Sequence, residues 1–268
     1  MTHARVMTLV QWARGSDWRL ALQHACPNPA LVWFTRGQGL AIVEGVRRGL
    51  GVHNALVLPE GTMFSIEPGK TGFGLVCEIP RQSAVPMPDR PHLLRIRDVA
   101  GQNELTVIFE AMSREQNDAR PFAEEVLDAL AAQLSVWLRR ALIAHPEEPR
   151  PRAAERLVRA YAALIERHLC EGLSVADHAR TLGVTPTHLA RTCRRLSGLS
   201  AADLLTQRSL YTARDLIETT ERPMADIAAS LGFGSAAYFS RFLLHHTGHT
   251  PSQLRSAARA RLRTKPAL

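Results

Sequence analysis

Along residues 5–97, short apolar runs alternate with turn residues: Leu31-Val-Trp-Phe34, Leu40-Ala-Ile-Val43, Ala55-Leu-Val-Leu58, Phe64-Ser-Ile66 and Gly74-Leu-Val-Cys77. Gly37, Gly39, Gly49, Gly51, Pro59 and Gly61 punctuate them, a spacing that predicts a small antiparallel barrel or sandwich. Binding pockets often lie in such folds, but Trp33, Phe34 and Phe64 are expected in the core rather than in a pocket. From about Glu104 the period changes. Leu105, Ile108, Phe109 and Met112 fall on one helical face, and after Pro121, which suits a helix first turn, a longer stripe runs through Phe122, Val126, Leu127, Leu130, Leu134, Trp137, Leu138 and Leu142. These two helices are expected to pack as a hairpin against the strands, with a homodimer seam as a second use of the long stripe.

The segment Ala144-His-Pro-Glu-Glu-Pro-Arg-Pro151 discourages helix and predicts a linker at 146–151, between a first domain of residues 1–145 and a second of 152–262. Beyond it the pattern is helical throughout. A first helix, Arg152 to Glu171, turns Leu157, Tyr161, Leu164, Ile165 and Leu169 inward and ends near Gly172. Ser174-Val-Ala-Asp-His-Ala-Arg-Thr-Leu-Gly183 then returns as Pro223-Met-Ala-Asp-Ile-Ala-Ala-Ser-Leu-Gly232, each copy followed by a second helical run that closes on glycine, Gly198 or Gly248. The repeat predicts two helix-turn-helix units, about 174–197 and 223–247, joined by a helix that opens at Ser200 with Asp203 three positions on and ends near Thr219.

In such a unit a small residue, Ala179 or Ala228, lets the two helices approach, Leu182 or Leu231 anchors the core, and Gly183 or Gly232 supplies a positive φ at the turn. Thr185 and Ser235 are the expected N-caps of the two recognition helices, with backbone and hydroxyl groups near phosphate. In the first recognition helix Leu189, Thr192 and Leu196 point inward, leaving Thr187, His188, Arg191, Arg194 and Arg195 outside. Arg191 is the expected base reader, because a guanidinium fork matches guanine O6 and N7. Arg194 and Arg195 are expected at phosphates. The second helix offers Ser240 and Arg241 as readers, Ala236 and Ala237 as thymine-methyl contacts and His245 at the phosphate, a thinner set.

Charge sharpens this reading. Residues 150–268 carry 18 Lys/Arg against 9 Asp/Glu, whereas residues 1–149 carry 15 against 16, so the excess of the +8 chain sits with the repeat. A polyanion partner follows. Cys26, Cys77, Cys170 and Cys193 are scattered without a zinc-ligand spacing, and no apolar stretch spans a bilayer, so a cytoplasmic protein without cofactor, metal or membrane contact is expected.

Ile227-Ala-Ala-Ser-Leu-Gly-Phe-Gly-Ser-Ala-Ala-Tyr-Phe-Ser-Arg-Phe242 followed by Thr247-Gly-His-Thr-Pro-Ser-Gln-Leu-Arg255 resembles the AraC/XylS family of transcription regulators, over about Arg156 to Arg255. The resemblance implies a pair of helix-turn-helix units joined by a long helix, with Thr187, Arg191, Ala236, Ala237, Ser240 and Arg241 on base-contact positions. Cys193 and Leu243 stand where the family usually has a core phenylalanine, and Leu244 and His245 where it usually has lysine or arginine. Less strongly, Gly37-Gln-Gly39, Glu44-Gly45 and Leu58-Pro-Glu-Gly-Thr62 are similar to turns of the family's cupin-like sensor domain. The resemblance therefore implies an α+β multidomain chain: a cupin-like β-barrel with a two-helix hairpin, then an all-α DNA-binding domain.

The function expected is a sequence-specific, effector-responsive activator in a bacterium, with double-stranded DNA, RNA polymerase, a small-molecule effector and a second copy of the chain as partners. One alternative is a regulator whose sensor is vestigial and which answers to a partner protein. Another is a cupin-type enzyme fused to a DNA-binding tail, disfavoured because the His-x-His ligand pair is absent, His53 and His92 are isolated, and Phe64 stands where a ligand histidine would be sought.

Overall fold

A computed structural model describes residues 2–118, 120–144 and 151–264, with the backbone alone at 262–264. Of the expected linker 146–151, all but Pro151 lies outside the described residues. The first half runs β1 (Arg5–Thr8), α1 (Leu9–Trp12), α2 (Trp18–Ala21), β2 (His24–Ala25), β3 (Ala30–Arg36), β4 (Gln38–Val43), β5 (Val46–Gly51), β6 (Asn54–Leu58), β7 (Met63–Pro68), β8 (Phe73–Glu78) and β9 (His92–Arg95), then α3 (Val99–Asp118) and α4 (Ala123–Ala144). The described strands form two antiparallel sheets, ordered β1-β8-β3-β6-β9 and β2-β7-β4-β5. No ladder joins the sheets, so the closed barrel gives way to a sandwich.

Between the sheets, Val32, Phe34, Leu56, Phe64, Ile66 and Val76 form a packed core. The other face of the larger sheet turns Leu31, Trp33, Val57 and Cys77 onto Leu105, Phe109, Leu134 and Leu138 of the helix hairpin. Because both faces of β3 are covered, its first five residues are all buried and its period of two is hidden. Trp33, Phe34 and Phe64 are core, as expected. β5 carries Arg47 and Arg48 and lacked an apolar run, while the short β1, β2 and β9 gave too little pattern to register.

α3 begins at Val99, ahead of the expected Glu104, because Asp98 Oδ1 accepts the Gly101 N–H at 2.5 Å and caps a first turn that carries no apolar stripe. Pro121 precedes α4 rather than lying in its first turn, and two members of the long stripe face out. Phe122 is 73% exposed with φ +64°, and Val126 is 39% exposed.

The second half is all helix: α5 (Ala153–His168) with a 3-10 turn at Leu169–Glu171, α6 (Val175–Thr181), α7 (Pro186–Ser197), α8 (Ala201–Thr219), α9 (Met224–Ser230), α10 (Ala236–Thr247) and α11 (Pro251–Thr264). It packs on the outer face of the four-stranded sheet. Met63 of β7 joins Val158, Tyr161, Leu189 and Leu204 in one core, and Leu22 packs on the core of the second unit. The Tyr211 ring of α8 stacks on His24 at 4.4 Å, and Arg19 Nη1 donates to Asp215 Oδ1 at 2.5 Å.

Candidate nucleic-acid interface

Both helix-turn-helix units are built by the same local devices. In the first, Ser174 Oγ accepts the Asp177 N–H at 3.3 Å while Asp177 Oδ2 accepts the Ser174 N–H at 3.0 Å, closing a capping box on α6. Hydrogen bonds from Ser174, then from Arg180, pull the Asp177 carboxyl down to about 2. The same box between Ser200 and Asp203 starts α8, and Ser200 holds the Asp203 carboxyl below its ordinary range. At α9 the N-cap is Pro223, which offers no side-chain oxygen, so this end of the second unit lacks the device.

Gly183 and Gly232 sit in the turns at φ +67° and +74°, where a side chain is strained. Thr185 Oγ1 then accepts the His188 N–H at 3.2 Å, and Ser235 Oγ accepts the Tyr238 N–H at 3.1 Å. Two recognition helices of 12 residues follow, α7 and α10, each ending on a left-handed glycine, Gly198 or Gly248.

In α7, Leu189, Thr192 and Cys193 are buried and Leu196 half-buried, while Thr187, His188, Arg191, Arg194 and Arg195 are all exposed. In α10, Phe239 and Leu243 are buried, Ser240 is half-buried, and Ala236, Ala237, Arg241 and His245 are exposed. Phe233, Phe239 and Phe242 pack with ring centres 5.0 and 5.1 Å from Phe233, so aromatic mass surrounds Leu243. Tyr238, outside the set of residues expected to contact DNA, is 55% exposed on the first turn of α10 beside Ala237. Its position one residue on from the alanine pair was the available signal.

The closing pattern also finds its use in geometry. Gln253 Oε1 accepts the Thr250 N–H at 2.8 Å and Thr250 Oγ1 accepts the Gln253 N–H at 3.3 Å, starting α11 with Pro251 in its first turn. Arg255 donates to Ile217 O at 3.2 Å and to Arg222 O at 2.6 Å, tying α11 to the end of α8. The units also touch directly. A Cβ on Gly232 would lie 2.4 Å from Gly172 N, so the two backbones meet at a pair of glycines.

A model of a helix-turn-helix domain matches residues 178–257. The regulatory protein SoxS of Escherichia coli is 32% identical over 101 residues, which cover 38% of this chain and 94% of SoxS. The chain belongs to the AraC/XylS family of DNA-binding transcription regulators. The arabinose operon regulatory protein of Escherichia coli is 27% identical to this AraC/XylS regulator over 170 residues, 63% of the chain and 54% of that protein. Among solved structures, ToxT of Vibrio cholerae aligns over 94% of the chain and 95% of its own at 14% identity, with a TM-score of 0.41.

Among the described residues of the regulator, no three His, Cys, Asp or Glu side chains gather into a group that could hold a metal, and no helix is long and apolar enough to cross a membrane.

Proposed function

We propose that this regulator binds two neighbouring major-groove segments of one DNA duplex, one per recognition helix, and changes transcription when its first domain takes an effector. The observation that carries the reading is the matched pair of capped helices, α7 and α10, each with its polar face open to solvent. In α7, Arg191 reads a guanine with Thr187 and His188 beside it, while Thr185, Arg194 and Arg195 meet phosphates. In α10, Ser240 and Arg241 read bases, Ala236 and Ala237 contact thymine methyls, and Ser235 and His245 face the backbone. With fewer donors, this half grips more loosely.

The connecting helix α8 is about 28 Å long at about 1.5 Å per residue, and successive major grooves on one face lie about 34 Å apart. A rigid connector of that length favours a bent duplex, at a cost of about 1–6 kcal/mol. Apolar Val99, Val107, Phe122 and Ile143 on the hairpin are 58–86% exposed, which supports a second copy of the chain as the partner of that face. Activation then works through RNA polymerase recruited beside the bound dimer in a bacterial cytoplasm.

Selection of binding sites from random duplex DNA tests the reading, with Arg191→Ala and Arg195→Ala alongside. Two short elements about one helical turn apart should be enriched. Arg191→Ala should relax preference at one base pair, by about 1–3 kcal/mol, whereas Arg195→Ala should weaken every sequence and reduce the salt slope by about 1. Equal effects of both changes on all sequences would falsify the assignment of Arg191.

A further inference from the structure

A cleft of about 860 Å³ opens where the edge strands β5 and β9 meet the C-terminal end of α4 and the start of α5. It therefore lies at the mouth of the sandwich and against the DNA-binding domain at once. Val43, Leu56 and Leu93 give it an apolar floor, and its walls carry six arginines, Arg48, Arg90, Arg95, Arg97, Arg139 and Arg159, against three carboxylates. Among the described residues Arg90, Arg95, Arg97 and Arg139 form no ion pair. Residues 1–149 carry 15 Lys/Arg against 16 Asp/Glu, so this concentration is local.

Arg159 of α5 reaches into the cleft from the DNA-binding domain. Its Nε is buried without a hydrogen-bond partner, 3.7 Å from Glu44 Oε2, an ion pair too long to be a hydrogen bond. Glu44 is held in place by the turn between β4 and β5, where Glu44 and Gly45 have φ of +49° and +72°. Burial pushes the Glu44 carboxyl up from its ordinary range, with Arg159 only partly offsetting it. The pair that bridges the domains is thus strained in chemistry on both sides: a carboxylate short of solvation and a guanidinium short of an acceptor.

We propose that this cleft binds a small organic anion, with an acidic headgroup on the arginines and a short apolar body on the Val43–Leu56–Leu93 floor. A concave surface with a net excess of positive charge concentrates anions, and a guanidinium fork matches carboxylate and phosphate oxygens alike. The headgroup supplies the acceptor that Arg159 Nε lacks and displaces Glu44 from it. The contact between the domains then runs through the ligand. Binding itself stands on the cleft alone, while its consequence for DNA rests on the effector-responsive reading given above.

The test is thermal unfolding of the full chain at matched ionic strength in chloride, inorganic phosphate and hexanoate, with hexan-1-ol as the uncharged analogue. The proteins compared are the unaltered chain, Arg139→Gln, Arg159→Gln and, as a control outside the cleft, Arg81→Gln. Hexanoate should raise the Tm over chloride by about 2–4 °C in the unaltered chain and in Arg81→Gln. Hexan-1-ol should not, and the shift should vanish in Arg139→Gln and Arg159→Gln. A shift from phosphate alone, lost in the same two variants, supports the site and assigns the headgroup to phosphate.

Equal shifts in every salt, or shifts that persist in both Arg139→Gln and Arg159→Gln, overturn the proposal. Arg139 is exposed on α4, so its replacement leaves the fold intact even if Arg159→Gln loosens the domains. DNA affinity measured with and without the anion separates the two readings. Anion binding that leaves DNA affinity unchanged sinks the effector role and keeps the site, and loss of specific DNA binding under all conditions sinks the regulator reading alone.

Discussion

In α6 the ring of His178 stands where the second unit has Ile227, and it is 2% exposed with neither ring nitrogen hydrogen-bonded. The Tyr161 ring meets it edge-on at 5.6 Å, and burial keeps its pKa below the ordinary value. An unpartnered buried polar group costs about 1–3 kcal/mol, so His178→Ile should stabilise the protein by about 1–2 kcal/mol in urea unfolding at pH 7. No gain would mean that the ring is better solvated than its burial states. His24 carries the pH dependence of the domain contact. It lies between Phe64 and Tyr211, with Nδ1 2.8 Å from Leu22 O, and burial lowers its pKa to about 4, aided by Arg208 and Arg19 and opposed by the Leu22 hydrogen bond and Asp215. Its folded pKa is below the unfolded value of about 6.5, so the unfolded chain takes up the proton first. Stability from this group is present above pH 6.5 and is lost as pH falls from 6.5 towards 4, on the order of 3 kcal/mol in all. His24→Phe should flatten that limb of the stability–pH curve, and an unchanged limb would reassign it.

At the scale of elements, the two turn glycines make a controlled comparison. Both have positive φ, but a Cβ on Gly183 would meet nothing within 4 Å, whereas one on Gly232 would strike the backbone of Gly172. Gly183→Ala should cost only the conformational strain, about 1–2 kcal/mol. Gly232→Ala should cost more and should force the units apart, weakening sites at the original spacing while each half-site persists. Equal losses in stability and in spacing preference for the two variants would count against the glycine contact as the element that sets how the units are disposed. The helices of the second half were legible in the sequence because their starts and ends are written locally: Ser174 with Asp177, Ser200 with Asp203, Thr185 with Pro186, and a glycine after each recognition helix. β5 was not, since its Arg47 and Arg48 carry no apolar alternation, and the first turn of α3 is fixed by Asp98 rather than by a stripe.

Over the whole molecule, α8 is both the connector of the DNA-binding units and, with α5 and α7, one of the helices on which the first domain rests. Arg19, with a side chain 8% exposed, pairs with Asp215, and lies 3.8 Å from Glu218, which also holds Arg214 at 3.3 Å and Arg261 at 3.2 Å. Arg19 and Arg214 both lie within 4.5 Å of the Trp18 ring centre. Removing one partner of a buried pair usually costs about 3–5 kcal/mol. Because Glu218 retains two arginines, Arg19→Ala should cost less, about 1–3 kcal/mol. It should also raise hydrogen exchange in α2 and α8 before the rest of the chain, and uniform exchange would show that the domains do not part there.

The sequence by itself determined what is local and repeated. Apolar period marked β3, β4, β6, β7 and β8 and the stripes of α3 and α4, cap residues marked the helix ends of the second half, and a ten-residue pattern used twice marked a pair of recognition helices with their polar faces outward. Each of these depends on residues within a turn or two of one another, so the chain states them directly. The tertiary structure decided what depends on convergence: two sheets that stay a sandwich, Phe122 and Val126 turned to solvent, the meeting of Gly172 with Gly232, and the seating of His24 on Tyr211. The arginine cleft belongs to that group. Its six guanidiniums lie between positions 48 and 159 and look like ordinary surface charge one at a time. Only when the edge strands, α4 and α5 come together do they face one space, because electrostatic fields add by distance in the fold and not by distance along the chain.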